Sequence, residues 1–281
     1  MQIRTLENTS LAEITAVFNN AFQGYFVKLE FTEESMAAKI KSEGIRREFS
    51  IGAFDNNRLV GFILHGYDSV NEVKTVYNAG TGVIAAYRGQ GITKALYQYA
   101  IPFLAEEGIR THLLEVIDGN LPAMHIYEQI GFKKIRKLHA FKSQVPIQVR
   151  QTYAVEELRG IPSEAFIFPE MISAWQNSLS SVERAKEDHR LISVSENNLV
   201  IGFAAYVAAN GRIKQLAVHP QYRRKGVGAA LLQYIGQNSS APQLVATNID
   251  EAYEPCIQFL QALGFEKFLS LDEMKLVIRE G

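Results

Sequence analysis

One glycine-rich loop pattern occurs twice in this chain. Arg88-Gly89-Gln90-Gly91-Ile92-Thr93 follows a β-branched run and opens an amphipathic stretch, and Arg223-Arg224-Lys225-Gly226-Val227-Gly228 does the same. Each is followed at a similar distance by a Gly-Phe pair, Gly131-Phe132 and Gly264-Phe265. A strand-to-helix turn of this kind leaves backbone N–H groups unpaired at a helix N-terminus, where they can hold an anion such as a pyrophosphate. Gly91 and Gly226 leave room for the backbone to approach that group, and Arg88 and Arg223 are positioned to add charge-assisted hydrogen bonds to it. The repeat restricts the chain to two copies of one unit.

The surrounding pattern repeats in order. Copy one starts with a strand at Gln2-Ile3-Arg4-Thr5, then a helix carrying Leu11, Ile14, Val17 and Phe18, then the aromatic loop Phe22-Gln23-Gly24-Tyr25-Phe26. Ser50 to Asp55 and Leu59 to His65 flank an Asn-Asn turn and read as a hairpin. Lys74 to Ile84 is the strand before the first loop; Thr111 to Ile117, Pro122 to Gln129 and Phe132 to Phe141 read as strand, helix and strand. In copy two, Gln148-Val149-Arg150 echoes the first strand, and a helix is expected from about Pro169 to Leu179. Leu191 to Ser195, Leu199 to Ala208, Ile213 to Val218, Leu244 to Asn248, Glu254 to Ala262 and Phe265 to Ile278 complete the second set. The two domains are expected at 1–143 and 147–281, with a linker near Ser143 to Pro146. The order of elements predicts an α+β fold: a mixed, mostly antiparallel sheet flanked by helices in each domain. After the first loop, Ile92, Leu96, Tyr99 and Phe103 share one helix face; after the second, Val227, Leu231, Tyr234 and Ile235 do. Both stripes are read as core.

Composition narrows the function. Lys plus Arg is 29 against 30 for Asp plus Glu, a balance that gives no general drive toward nucleic acid or an anionic membrane. The longest uncharged apolar run, Leu199 to Ala209, is too short to span a bilayer. The single cysteine, Cys256, excludes an intrachain disulfide and fits a cytoplasmic protein; it reads as a small apolar residue rather than a nucleophile. The six histidines are not paired at metal-ligand spacing.

The Arg-x-x-Gly-x-Gly/Ala loop after a strand, followed by a Tyr-Glu-x-Ile/Leu-Gly-Phe segment, resembles the GNAT superfamily of N-acetyltransferases, here as two tandem domains. The resemblance implies acetyl-CoA as acyl donor, with its pyrophosphate on the loop residues named above, Arg88 to Thr93 and Arg223 to Gly228. It implies that the preceding strands, Thr81-Gly82-Val83 and Leu216-Ala217-Val218, hydrogen-bond the pantetheine arm where each splays from its neighbour. The hairpin before the loop, and the lack of a strand-ending acid about twenty residues on, set it apart from the dinucleotide-binding motif.

The copies differ where chemistry is expected. In copy one the resemblance makes Asn120 a ligand of the CoA arm and Tyr127 the general acid for the leaving thiolate; a half-buried packing aromatic is the alternative for Tyr127. A phenol keeps its proton at neutral pH and can donate it. Glu115 is the candidate base, with a structural ion pair as the alternative, and Asp118 and His65 stand behind it. A backbone N–H near Val83 is expected to face the oxyanion. Phe22, Tyr25 and Phe26 are candidates for the acceptor wall, as core or as a cation cage. Aligned on Gly-Phe, copy two has Tyr253 at the Asn120 position and Leu260 at the Tyr127 position, while Gly228 stands where copy one has Thr93. The N-terminal domain is therefore expected to be the catalyst, transferring acetyl to a small-molecule or peptide amine; a non-catalytic acyl-CoA-binding protein is the alternative. The acceptor and the oligomeric state stay open at this level.

Overall fold

A computed structural model describes residues 1–27, 29–145, 147–149, 153–168 and 171–279. The chain forms two compact units, Met1–Arg136 with Asp272–Gly281, and Lys137–Leu271. Unit 1 contains β1 (Gln2–Thr5), α1 (Leu11–Ala21), α2 (Glu33–Glu43), β2 (Ile51–Asp55), β3 (Arg58–Val70), β4 (Val73–Val83), α3 (Ile92–Glu106), β5 (Thr111–Ile117), α4 (Leu121–Ile130) and the start of β6 (Lys133–Gln144). Unit 2 contains the rest of β6, β7 (Glu156–Leu158), α5 (Leu179–Arg184), β8 (Arg190–Glu196), β9 (Leu199–Val207), β10 (Arg212–Val218), α6 (Val227–Asn238), β11 (Gln243–Asp250), α7 (Glu254–Ala262) and the start of β12 (Glu266–Val277).

Each unit is the expected α+β layer around a mostly antiparallel sheet. In unit 1, β1 to β4 form an antiparallel meander and β5 joins β4 in parallel. In unit 2, β7 to β10 repeat the meander, β11 joins β10 in parallel, and β6 pairs antiparallel with β11. The helix after each loop lies on its sheet. Gly61 and Gly202 sit beneath it: an added Cβ would come 3.1 Å from Ile92 Cγ2 and 2.4 Å from Val227 Cγ1. This close approach explains the repeated glycine of β3 and β9.

Four expectations change. The linear boundary at 143–147 is replaced by an exchange, because Met274 and Ile278 pack in the core of unit 1 with Leu104, Ile109 and Phe132, and Ile278 N donates to Arg110 O at 2.9 Å; of the expected linker, Pro146 lies outside the described residues. The buried face of α3 is Ile92, Leu96, Tyr97, Ala100 and Leu104, so Tyr97 is core and Tyr99 is 40% exposed at the stripe's edge. The strand expected at 148–150 is not one over its described residues, with Arg150 outside them; β7 takes the edge instead, seating Leu158 against Leu191 and Phe203. The helix expected from 169 to 179 is, over its described part, extended chain and a 3₁₀ turn at Trp175–Asn177. Side chains of β10 claim that segment: Gln215 Nε2 donates to Ser173 Oγ at 2.9 Å and Lys214 Nζ to Gln176 O at 2.5 Å. Pro169 and Glu170 lie outside the described residues.

Among the described residues no helix is long and apolar enough to cross a membrane.

Candidate functional site

Both units open their sheets at the same place. β4 pairs with β5 only from Thr75–Thr111 to Tyr77–Leu113, then runs on beside β3 to Val83. A bulge opposite Leu64 and His65 lies just past this point. β10 pairs with β11 only at Arg212–Val245 and Ile213–Ala246, and has the matching bulge between Ile213 and Gln215. Ile84 N donates to Val60 O at 3.0 Å and His219 N to Ile201 O at 2.9 Å. Strand alternation then aims the N–H groups of Val83 and Val218 at the open side. Thr81 to Val83 and Leu216 to Val218 thus form the strand edges expected to receive a pantetheine arm.

The loops that follow are open. Gly89 and Gly91 have φ of 75° and 74°, and a Cβ on either would meet nothing within 4 Å. α3 starts on Gly91 and α6 on Gly226, and neither N-cap side chain bonds the first turn. Their first amides are thus free of side-chain caps, which fits an anion. Arg224 occupies the place of Gly89 and shares its left-handed backbone, φ 60°, a strain of about 1 kcal/mol for a residue with a Cβ.

The two arginines are not aimed as the sequence led one to expect. Arg88 donates from Nε to Val83 O at 3.2 Å and from Nη2 to Ala21 O at 2.8 Å. Arg223 donates from Nε to Val218 O at 3.1 Å and from Nη2 to Phe168 O at 3.1 Å. Each guanidinium braces the loop to the end of its strand and to the segment beyond, so the loop's backbone is left to meet an anion. Gln90 Nε2 reaches back to Ala86 O at 3.4 Å. Ile92 and Val227 are buried in the cores, and Lys225 Nζ stands 5.1 Å from the Tyr222 ring centroid.

In unit 2 the splay is a cavity of about 660 Å³ lined by Leu216, Ala217, Val218, Arg223, Arg224, Gly226 and Gly228 from the predicted set. Leu260 and Cys256 also line it. Burial pushes the Cys256 thiol up to about 11, which disfavours the nucleophilic thiolate. Asn177, another lining residue, has a buried Oδ1 without a hydrogen-bond partner. Gly228 makes room for α7: an added Cβ would lie 3.1 Å from Phe259 Cζ. Unit 1 carries Thr93 and Ile126 at these two positions, exchanging volume from ring to loop.

In unit 1 the polar groups gather around α4. Asn120 caps this helix, its Oδ1 accepting from Ala123 N at 3.4 Å, and its Nδ2 donates to Tyr25 Oη at 3.2 Å. Phe22 packs between Phe18 and Tyr25, and Tyr25 meets Phe26 edge-on. Tyr25 is thus drawn to the site, while Phe26 is 61% exposed. Tyr127 packs on Tyr97 and Phe132 with ring centroids 5.9 and 5.8 Å away. Burial pushes its phenol up to about 12, the Tyr25 phenol adds to this, and Thr81, Asn78 and Tyr97 draw it back down. Tyr127 is therefore protonated at neutral pH. Glu115 stands on the opposite face of β5 from Leu114 and Val116, which belong to the cluster that Tyr127 packs against; the structure does not bring these two predicted catalytic residues together. His65 is fully buried with its pKa lowered to about 4 by desolvation, and so is not a solvent-linked base. Asn78 and Tyr97 escaped the sequence reading; both lie among other polar residues of their elements, and burial alone sets them apart.

The profile of the acetyltransferase (GNAT) family matches residues 12–132, and that of an acetyltransferase (GNAT) domain matches 187–267. The chain is 33% identical over 96 residues to N-alpha-acetyltransferase 30 of Schizosaccharomyces pombe, which is 34% of this chain and 63% of that protein. It is 30% identical over 96 residues to the ribosomal protein bS18-alanine N-acetyltransferase of Haemophilus influenzae, covering 34% and 62%. The chain thus spans less than two thirds of the length of either relative. In fold it is similar to a tandem GNAT protein from the clavulanic acid biosynthesis pathway, with a TM-score of 0.73 and 14% identity over 100% of both chains. Two open loop-and-splay clefts, one in each family-matched region, agree with these likenesses: the chain belongs to the GNAT acetyltransferase family.

Proposed function

We propose that unit 1 moves an acetyl group from acetyl-CoA to a primary amine, with Tyr127 as general acid. The single observation that carries this reading is the half-buried Tyr127, packed on Tyr97 and Phe132, whose phenol keeps its proton. When bound, acetyl-CoA supplies an activated acyl carbon and a thiolate leaving group. The uncapped amides from Gly91 to Thr93 hold its phosphates, and the edge from Thr81 to Val83 orients its arm. Val83 N–H faces the developing oxyanion. Tyr127 Oη gives its proton to sulfur as the amine nitrogen bonds the acetyl carbon and the carbon–sulfur bond opens. The proton lost by the amine returns through solvent to the phenolate, so that amide and thiol leave and the phenol is restored. Binding geometry supplies much of the rate, because it makes a two-body step effectively unimolecular.

The names of the two relatives favour a peptide α-amine as acceptor. Tyr25 and Phe22 are candidates to border it, and Glu115 remains a candidate base acting through water. The test is thiol release from acetyl-CoA across a panel of alanine-, serine- and methionine-initiated peptides beside small amines. Tyr127→Phe should lower kcat about 10²-fold; undiminished turnover in that variant defeats the acid assignment.

Unit 2 we read as holding acyl-CoA without turning it over. Its cavity and open loop favour binding, and buried Leu260, where a proton donor is needed, favours silence. Calorimetry with CoA should give two sites per chain; a stoichiometry of one would remove this second reading.

A further inference from the structure

Three polar residues stand near Tyr127, and two of them, Asn78 and Tyr97, are joined by a hydrogen bond. Tyr97 is fully buried on the inner face of α3. Its hydroxyl accepts from Asn78 Nδ2 at 3.0 Å, and Asn78 Oδ1 accepts from Gly80 N at 2.9 Å, which fixes the amide's orientation. Having accepted there, the Tyr97 hydroxyl has its own proton to place. Tyr127 is its neighbour, the two rings crossing at 77°. Thr81 Oγ1 is also buried and makes no hydrogen bond of ordinary geometry. These groups lie against a core that includes Leu96, Ala100, Leu114 and Val116, with the rings of Phe132 and the fully buried His112 set on Tyr97. A buried polar side chain is a burden on stability unless it is satisfied, so the fold alone gives no reason for three of them.

Unit 2 is an internal control. Its bulge sets Ile213 at the position of Asn78 and Leu216 at that of Thr81. The loop register sets Leu232 at the position of Tyr97, and the Gly-Phe register sets Leu260 at that of Tyr127. Ile213, Leu232 and Leu260 are buried in the core of unit 2, and Leu216 packs against it. The same architecture is therefore built with four aliphatic residues, and all four positions change together.

We propose that Asn78, Thr81 and Tyr97 are positioning residues that hold the Tyr127 phenol and receive the negative charge it acquires when it gives up its proton. This rests on the reading of Tyr127 as the acid. A phenol buried among apolar groups releases its proton reluctantly; hydrogen-bond donors fixed around the oxygen stabilise the phenolate and cost no reorganisation at the moment of transfer. Each of the three groups acts on Tyr127 in that direction, against the pull of burial. Unit 2, which has no phenol to serve, has none of the three.

The test uses the full chain with tyrosines labelled by ¹³C at Cζ. The Tyr127 resonance is assigned by its loss in Tyr127→Phe. Tyr97→Phe and the isosteric Thr81→Val should each move that resonance, with no acceptor needed. With acetyl-CoA and an alanine-initiated peptide, each should lower kcat about tenfold at an unchanged KM for acetyl-CoA, and the alkaline limb of the kcat profile should move to higher pH. An unmoved resonance in both variants, with kcat intact and Tyr127→Phe inactive, overturns the positioning role and leaves the acid standing. Full activity in Tyr127→Phe overturns both. Thr81→Val preserves shape, so a failure of Tyr97→Phe to fold still leaves a decisive measurement.

Discussion

Asn120 and Tyr25 are joined by a 3.2 Å hydrogen bond, so the residue that caps α4 also ties down the aromatic loop after α1. The expected contact of Asn120 with a CoA arm therefore has a competitor already in place. Asn120→Ala should lose the cap and the tie together, lowering stability by about 1 kcal/mol from the cap alone. Tyr25→Phe loses only the tie. A double-mutant cycle in urea should return a coupling of about 0.5–1.5 kcal/mol, and additive losses would show that the bond contributes nothing.

The bracing arginines make a prediction opposite to that of a phosphate ligand. Arg88→Gln breaks a two-pronged contact with Val83 O and Ala21 O and removes the charge, because a neutral amide cannot reproduce the planar fork. Stability should fall by about 1 kcal/mol, while the slope of log Kd for CoA against log salt stays as in the wild type. A weaker salt dependence in calorimetry would return Arg88 to the ligand set.

Acid should weaken unit 1. His65 and His112 are fully buried with ring centroids 4.7 Å apart, and burial holds His65 at about 4 and His112 well below its ordinary value. The unfolded chain takes up their protons near pH 6.5 and the folded one resists, so stability is lost as pH falls from 6.5 toward 4. For His65 alone the loss at pH 5 is about 2 kcal/mol. Urea unfolding at pH 7 and pH 5 should show it, and His65→Asn should flatten the difference; an equal slope in that variant counts against the buried imidazole as its source.

Loop and helix exchange volume between the units. Gly228→Thr should clash with Phe259 and lower stability by about 1–3 kcal/mol. Adding Phe259→Ile, which copies the Thr93 and Ile126 arrangement, should recover most of the loss in thermal melts. No recovery would mean that the two positions are not coupled.

What the sequence carried was local. Turn chemistry at Asn56-Asn57 and Asn197-Asn198, the glycines at 89, 91 and 226, and period-two runs such as Thr111–Ile117 are short-range signals, and the elements stand where those signals put them. What it hid depends on distant partners. Arg88 and Arg223 are engaged by the carbonyls of Ala21 and Phe168, which lie 67 and 55 residues away in the chain. The segment before Trp175 is not helical because side chains of β10 hold it. Asn78 and Tyr97 did not stand out among the other polar residues of their elements, although the aliphatic counterparts in the second copy carried the contrast. The alternation of β12 is the same whichever core it enters, so the exchange of strand ends could not be read.

That exchange has a consequence for synthesis. Met274 and Ile278 complete the hydrophobic interior in which Tyr97 and Phe132 sit. The unit assigned the chemistry thus begins to emerge from the ribosome before unit 2, yet stays unfinished until residues beyond 272 are translated. A nascent chain stalled after residue 150 should expose an unsealed apolar face and recruit chaperones.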